Sequence, residues 1–389
     1  MRTGKLFLPL AFAVGVLGLS GLAFAGEPTI EHVVNVQKYN RSIHVMAMLL
    51  VGFGFLMVFV RHYGQSALTA TYILVSTAVP IYFLINAQGW IGEPREIEID
   101  RFLLAEFAAA SLLICAGAPL GRLKMPQYFI LGLLFTPCYM INEWILVDHG
   151  FGLIPKGGFM DTGGSILIHA FGALFGLGVV MTMTTKEEFA AKIEANTTSN
   201  LFSLLGSMVL WLFWPSFCAG LVPPELVPKT AINVTLALCG ATLATCFFSS
   251  LFRGKISMGD LTNAALAGGV SIGASCDFAT HNSAFIIGLI GGLISTVGYN
   301  YIQPALQERL KGIDTCGVTN LHGWPGLFGG FAAMYAVQGI NRGAQLEGII
   351  IAVILALVTG YITGRILSGF GRRRKPYNDH EETVVEGED

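Results

Sequence analysis

The sequence predicts an all-α polytopic membrane protein of eleven transmembrane helices, arranged as two inverted five-helix repeats plus a C-terminal helix. Three observations carry that expectation. The 389-residue chain is 53% hydrophobic and only 12% charged, with a mean hydropathy of +0.63, whereas soluble domains carry about 25% charged residues. Apolar stretches recur along it, each near the roughly 20 residues that one crossing needs. Finally, Asp161-Thr-Gly-Gly-Ser-Ile-Leu-Ile-His169-Ala-Phe-Gly-Ala-Leu-Phe-Gly176 aligns without a gap with Asp314-Thr-Cys-Gly-Val-Thr-Asn-Leu-His322-Gly-Trp-Pro-Gly-Leu-Phe-Gly329, with seven of sixteen positions identical. Both segments place an Asp eight residues ahead of a His among apolar and small residues.

Taken in order, residues 1–25 read as a signal peptide, with Arg2 and Lys5, an apolar run, and an Ala23-Phe24-Ala25 cleavage site. Cleavage there leaves the mature N-terminus outside the cytoplasm. A membrane domain over 26–370 follows, with apolar segments at 43–61, 69–88, 102–120, 127–147, 161–183, 201–221, 230–251, 260–277, 282–302, 318–338 and 345–367. With the N-terminus outside, fourteen Lys and Arg residues fall on the cytoplasmic side and seven outside, as the positive-inside rule requires. The tail, 371–389, runs from basic to acidic and reads as a flexible cytoplasmic end.

Composition also excludes classes. A net charge of −2, with no basic run before the tail, argues against nucleic acid. The seven cysteines lie in or beside apolar segments without a CxxC pair, which supports neither a disulfide framework nor a zinc ribbon. The 48 glycines point to closely packed helices, and Gly269-xxx-Gly273 and Gly288-xxx-Gly292 read as packing motifs. Trp214-Pro215 predicts a kink in the sixth helix.

Five crossings separate the two Asp-to-His segments, so their helices run in opposite directions, the plan of transporters whose site lies between inverted repeats. Eight helical residues rise about 12 Å, and half of a hydrocarbon core is about 15 Å. His169 and His322 are therefore expected to approach each other near the midplane. A lone His in an apolar helix is ordinarily a packing residue; duplication at matching depth makes this pair a site. Asp161 and Asp314 admit two readings, helix capping or direct cation contact, and Asp161, facing the outer mouth, is favoured for function. His44 and His281 read as interfacial.

At these residues the chain resembles the Amt/Rh ammonium transporter family, most closely its Rh (Rhesus) branch. The likeness runs through Gly163-Gly-Ser-Ile-Leu-Ile-His-Ala-Phe-Gly, Asn320-Leu-His-Gly-Trp-Pro-Gly, His44-Val-Met, Asn142-Glu143 and Trp214-Pro-Ser-Phe217. It implies an ammonium channel domain over 26–370 and a homotrimer in the bacterial inner membrane. In such a trimer each subunit has its own hydrophobic pore, with the N-terminus outside and the C-terminus cytoplasmic. The family's stacked outer phenylalanines match Phe107 and Phe217, its pore histidines match His169 and His322, and its outer Asp matches Asp161. The chain departs from many Rh proteins at Thr319, where they have His, and at Cys218, where they have Asn. The loop 148–160 has no Trp, so a high-affinity outer cation site is not expected.

Moving a full charge into hydrocarbon is costly, so a pore walled by Phe, Leu, Ile and Val suits a small neutral molecule with hydrogen-bonding capacity. The expected cargo is ammonium or methylammonium, deprotonated at the outer vestibule, with ammonia passing two imidazoles that titrate as a pair. Carbon dioxide is the alternative cargo, and an ammonium sensor a more distant one. An intramembrane metalloenzyme is disfavoured, because HExxH is absent and two converging His are too few for a typical zinc site. The expectation is thus a transporter and not an enzyme, with no cofactor, no nucleic acid, and lipid as its surroundings.

Overall fold

A computed structural model describes residues 29–384; the signal peptide read at 1–25 lies outside them. The long helices are α1 (Ile30–Phe59), α2 (Gly64–Ala87), α3 (Glu98–Gly117), α4 (Met125–Val147), α5 (Ser165–Met183), α6 (Thr197–Cys218) and α7 (Val227–Arg253). After them come α8, broken into Met258–Ala264, Ala267–Ile272 and Gly273–Ser275, then α9 (His281–Leu310), α10 (Thr319–Gly323 continued by Trp324–Ala336) and α11 (Arg342–Gly369). No strand occurs among the described residues. Eight of these helices are long and apolar enough to cross a membrane; α3, α8 and α10 are not among them.

Local chemistry sets the ends. Thr29, Asn196, Thr280 and Asn341 cap α1, α6, α9 and α11, each accepting a hydrogen bond from the backbone N–H three residues on, which satisfies one orphan donor per helix. The Thr29 cap starts α1 at Ile30 instead of residue 43, and the added turns are largely exposed. Proline sits in the first turn of α4 and α7, where no N–H is lost.

The glycines carry the close packing that their spacing predicts. A Cβ on Gly288 of α9 would stand 2.0 Å from the Ala237 carbonyl oxygen of α7, and one on Gly292 would stand 2.5 Å from that of Ala241. On α11, a Cβ on Gly360 would stand 2.2 Å from the Phe175 carbonyl oxygen of α5. The sequence repeat also has a counterpart in tertiary bonds. Gly163 N–H donates to Gly273 O at 2.8 Å, tying the start of α5 to the end of α8. Cys316, which aligns with Gly163, donates to Gly117 O at 3.1 Å and ties the start of α10 to the end of α3.

The tail is not the flexible end its composition suggests: residues 371–384 fold back onto the bundle. Tyr377 is buried; its hydroxyl accepts from Arg122 Nη2 at 2.5 Å and lies 3.1 Å from Thr315 Oγ1. Burial pushes the Tyr377 phenol up from its ordinary value. Asp379 accepts from Ser66 N–H at 2.8 Å at the start of α2, and Arg373 lies within ion-pair distance of Glu381 and Glu382. Composition misled because Arg373, Asp379, Glu381 and Glu382 pair with one another or with helix starts, which a run of charges does not announce.

Gly288→Ala should lower stability by about 1–3 kcal/mol, the usual range for overpacking. Gly369→Ala, whose Cβ would meet nothing within 4 Å, should leave stability unchanged or slightly higher. Thermal unfolding of both variants in detergent checks the contrast.

Candidate functional site

The two Asp-to-His turns are built alike. Asp161 Oδ2 accepts from Ile166 N–H at 2.9 Å and Leu167 N–H at 2.7 Å. Asp314 accepts from Val318 N–H at 2.9 Å, Thr319 N–H at 2.9 Å and Thr319 Oγ1 at 2.8 Å. Three residues after each Asp, a glycine takes left-handed backbone, Gly164 at φ 74° and Gly317 at φ 66°, which a side chain would strain. Each helix then opens with a π-helical stretch, Ser165–Ala170 and Thr319–Gly323, with its histidine at the end. The aspartates thus supply the acceptors that a buried helix start needs. Ser165 adds a brace: its hydroxyl donates to Val270 O at 2.6 Å and accepts from Ala274 N–H at 2.8 Å.

These turns bring His169 and His322 together. Their Nδ1 atoms are 3.2 Å apart, the rings are stacked at 5.2 Å and 14°, and each residue is 2% exposed. A row of rings runs through the pair. Phe107 lies 4.8 Å from Phe217, Phe217 5.9 Å from His169, and His322 6.2 Å from Phe53. Phe107 and Phe217 are tilted by 60° and not stacked in parallel; Phe107 meets Gly220, where an added Cβ would stand 2.9 Å from its ring tip. Trp214 stacks on His169 at 5.4 Å and 26°. Beyond His322 a small apolar cavity is lined by Phe53, Leu113, Val318 and Leu321. It shares Phe59, Asn263 and Cys316 with a larger polar cavity that also has Asp260, Arg253 and Gln303 in its wall.

Chemically the pair is asymmetric. One Nδ1 donates and the other accepts, so in neutral imidazoles one Nε2 is left as an acceptor and the other as a donor. His169 Nε2 and Trp214 Nε1 are buried without a protein partner, so hydrogen-bonding capacity stands unused at the centre of the row. No group of three His, Cys, Asp or Glu that could hold a metal occurs among the described residues.

The Ammonium Transporter Family model matches residues 7–383. The chain belongs to the ammonium transporter family. It is 33% identical over 367 residues to the ammonium transporter Rh type C of Rattus norvegicus, covering 85% of this chain and 72% of that one. It is 36% identical over 319 residues to the Rh type B protein of Xenopus tropicalis, covering 80% of this chain and 67% of that one. Among solved structures, Nitrosomonas europaea Rh50, of the Rhesus protein family of channels, superposes with a TM-score of 0.89 at 52% identity, covering 92% of this chain and 94% of that chain. A sensor Amt protein shares the fold, with a TM-score of 0.79 at 19% identity and 91% and 98% coverage. This family member is therefore an Rh-type, multi-pass membrane protein.

Some residues at the site escaped the sequence reading. In the sequence Trp214 reads as a kink marker and Phe53 carries no mark of chemistry; no spacing marks either as a neighbour of the histidines. His44 and Glu106 belong to a second layer. His44 Nδ1 lies 2.9 Å from Ser216 Oγ, beside Phe217, and Ser42 Oγ donates to Glu106 Oε1 at 2.8 Å, beside Phe107. Two residues of α1 thus hold the residue preceding each phenylalanine. His281 Nδ1 lies 2.7 Å from Asn233 Oδ1. Thr319 uses its hydroxyl on Asp314, and Cys218 packs where Gly163 leaves room.

Asp314→Ala should cost about 1–3 kcal/mol for each buried donor left without a partner, whereas Thr319→Val, which removes only one of the three bonds to that carboxyl, should cost about 1 kcal/mol. Thermal unfolding of the two variants in one detergent should rank them in that order.

Proposed function

We propose that this protein moves ammonium across the membrane as ammonia, through a pore lined by Phe107, Phe217, His169 and His322. The observation that carries the reading is the pair of buried, mutually hydrogen-bonded imidazoles in a row of aromatic rings. Rh type C and type B relatives named as ammonium transporters support the cargo.

In this mechanism ammonium reaches the outer vestibule, loses a proton at the Phe107/Phe217 gate and continues as ammonia. Neutral ammonia donates to the free Nε2 of one histidine and accepts from the N–H of the other, so its hydrogen bonds to water are replaced in a dry site. An ammonium ion has no lone pair and would face the donor N–H with another donor, while apolar walls offer no compensation for its charge. Asp161 acts at the outer mouth by fixing the turn that delivers His169 and by placing a negative charge near arriving cations.

The architecture that goes with this is eleven crossings, two inverted five-helix halves and a C-terminal helix. Three such chains form a homotrimer in the bacterial inner membrane, with the N-terminus outside and the C-terminus cytoplasmic. The doubled Asp turns and the matching Gly163–Gly273 and Cys316–Gly117 bonds support the repeat.

His169→Ala and His322→Ala should each reduce methylammonium and ammonia flux in proteoliposomes. The loss of one hydrogen-bonding partner, about 1–3 kcal/mol, corresponds to roughly 5- to 150-fold in rate. Flux and current recorded together should show ammonia conduction without matching charge. Unchanged flux in both variants sinks the reading, and carbon dioxide flux that alone survives parental in a chain inert to ammonium would favour a neutral-gas channel.

A further inference from the structure

We infer that Glu106 accepts the proton that ammonium gives up at the phenyl gate, an inference that rests on the pore reading above. Glu106 immediately precedes Phe107 on α3 and is 0% exposed. Its Oε1 accepts from Ser42 Oγ at 2.8 Å, and its Oε2 is buried with no protein partner.

The charges around it are engaged elsewhere. Among the described residues, no Lys, Arg or His lies within ion-pair distance of Glu106. Arg41, next to Ser42, donates to Gly220 O at 3.4 Å. His44 faces Ser216. Lys38 pairs with Asp100 at 2.6 Å, farther toward the outer ends of α1 and α3. Among the other carboxylates, Asp161 has backbone N–H donors at a helix start, Glu143 has Tyr82 at 2.7 Å and Arg95 at 3.8 Å, and Asp277, which does not adjoin either phenylalanine in sequence, has the Thr162 hydroxyl at 2.8 Å.

Glu106 is therefore the carboxyl next to Phe107 in α3, with a single hydroxyl for company and its second oxygen without a protein partner. A buried carboxylate in that condition is relieved either by a counter-cation or by a proton, and ammonium brings both. The step is ammonium plus Glu106 carboxylate giving ammonia plus Glu106 carboxylic acid. An N–H bond breaks with its electron pair staying on nitrogen, and an O–H bond forms at Oε2. Two opposite charges become two neutral groups, the outcome that a low-dielectric site favours. Ammonia goes on to His169. The carboxylic acid returns its proton to water at the outer end of the α1–α3 seam, where Lys38 and Asp100 stand, restoring the carboxylate. Ser42 is a positioning residue that keeps Oε1 occupied, so that the free oxygen is Oε2.

The test compares the full-length parent, Glu106→Gln, Glu106→Asp, His169→Ala and His322→Ala in proteoliposomes, with methylammonium as the flux probe. Infrared difference spectra on adding ammonium chloride read the carboxyl C=O stretch. Gln keeps the size and the acceptor for Ser42 but cannot take a proton. Glu106→Gln should retain the parental melting temperature and elution volume, lose about 100-fold in flux, as expected for a missing general base, and lose the carboxyl band change. Glu106→Asp, which keeps the carboxyl and also serves if the Gln variant fails to fold, should keep a band change at a shifted frequency with reduced flux. Parental flux in Glu106→Gln, an unaltered band change in it, or an Asp variant matching the parent in both readouts overturns the inference while leaving the pore reading intact. Absence of methylammonium flux in the parent overturns both, and unchanged flux in His169→Ala together with unchanged flux in His322→Ala overturns the pore reading.

Discussion

One hydrogen bond organises this molecule: the 3.2 Å contact between the Nδ1 atoms of His169 and His322. It exists only if one nitrogen carries a proton and the other does not, since two protonated imidazoles would set donor against donor. The bond therefore ties geometry to charge. Its partners are 153 residues apart, so nothing local can bring them to contact, and the bundle has to hold both with an error of a few tenths of an ångström. The Asp-capped turns, the left-handed glycines and the π-helical openings of α5 and α10 meet that requirement twice. Each turn is also anchored to a neighbour, α5 to α8 through Gly163 and Ser165, and α10 to α3 through Cys316.

The same requirement explains which helices are unusual. The three that are not apolar and long enough to count as spans are α3, α8 and α10. α3 carries Glu106 beside Phe107; α10 carries Asn320 and His322 with helix-weakening glycines; α8 is broken where Gly273 O must accept from Gly163. Polar residues within a membrane bundle are costly and tend to mark function. Here the shortfall in apolarity falls on helices that adjoin the histidine pair, while the predominantly apolar helices α9 and α11 supply packing surfaces through Gly288, Gly292 and Gly360.

This distribution also sets how much was legible. Helix positions follow from hydropathy because each segment is long and its end signals are local. The meeting of the histidines is legible because the repeat records it twice in one register. The glycine motifs on α9 announce close approach by their spacing. What stayed hidden depends on side-chain direction between helices that are distant in sequence. Trp214 lies on His169 because α6 happens to present that face, and neither its neighbours nor its spacing says so. Glu106 looks like one charge near the polar start of α3; its isolation is a property of α1, which contributes Ser42 and no cation. The tail misled for a related reason. A charged run reads as solvated, but Arg373 pairs with Glu381 inside the tail, while Asp379 and Tyr377 find partners far upstream, at Ser66 and Arg122.

The alternating distribution of polar capacity along the ring row bears on selectivity. At Phe107 and Phe217 the rings are apolar, and the polar groups next to them in sequence, on Glu106 and Ser216, are held by Ser42 and His44. At the centre, hydrogen-bonding atoms stand in the row itself as imidazole nitrogens, with one Nε2 demonstrably without a protein partner. Toward the other end, Phe53, Leu113 and Leu321 restore an apolar wall before the polar cavity around Asp260 opens. A cation would lose its hydration at the first apolar section and regain no compensating negative charge at the imidazoles, because a pair that shares one proton has only a single acceptor to offer. A neutral molecule with both a lone pair and N–H bonds loses far less at the apolar sections and matches the donor and acceptor of the pair at once. The discrimination then comes from the order of the sections and not from any one residue. That order is what the two capped turns, and the helices that brace them, maintain.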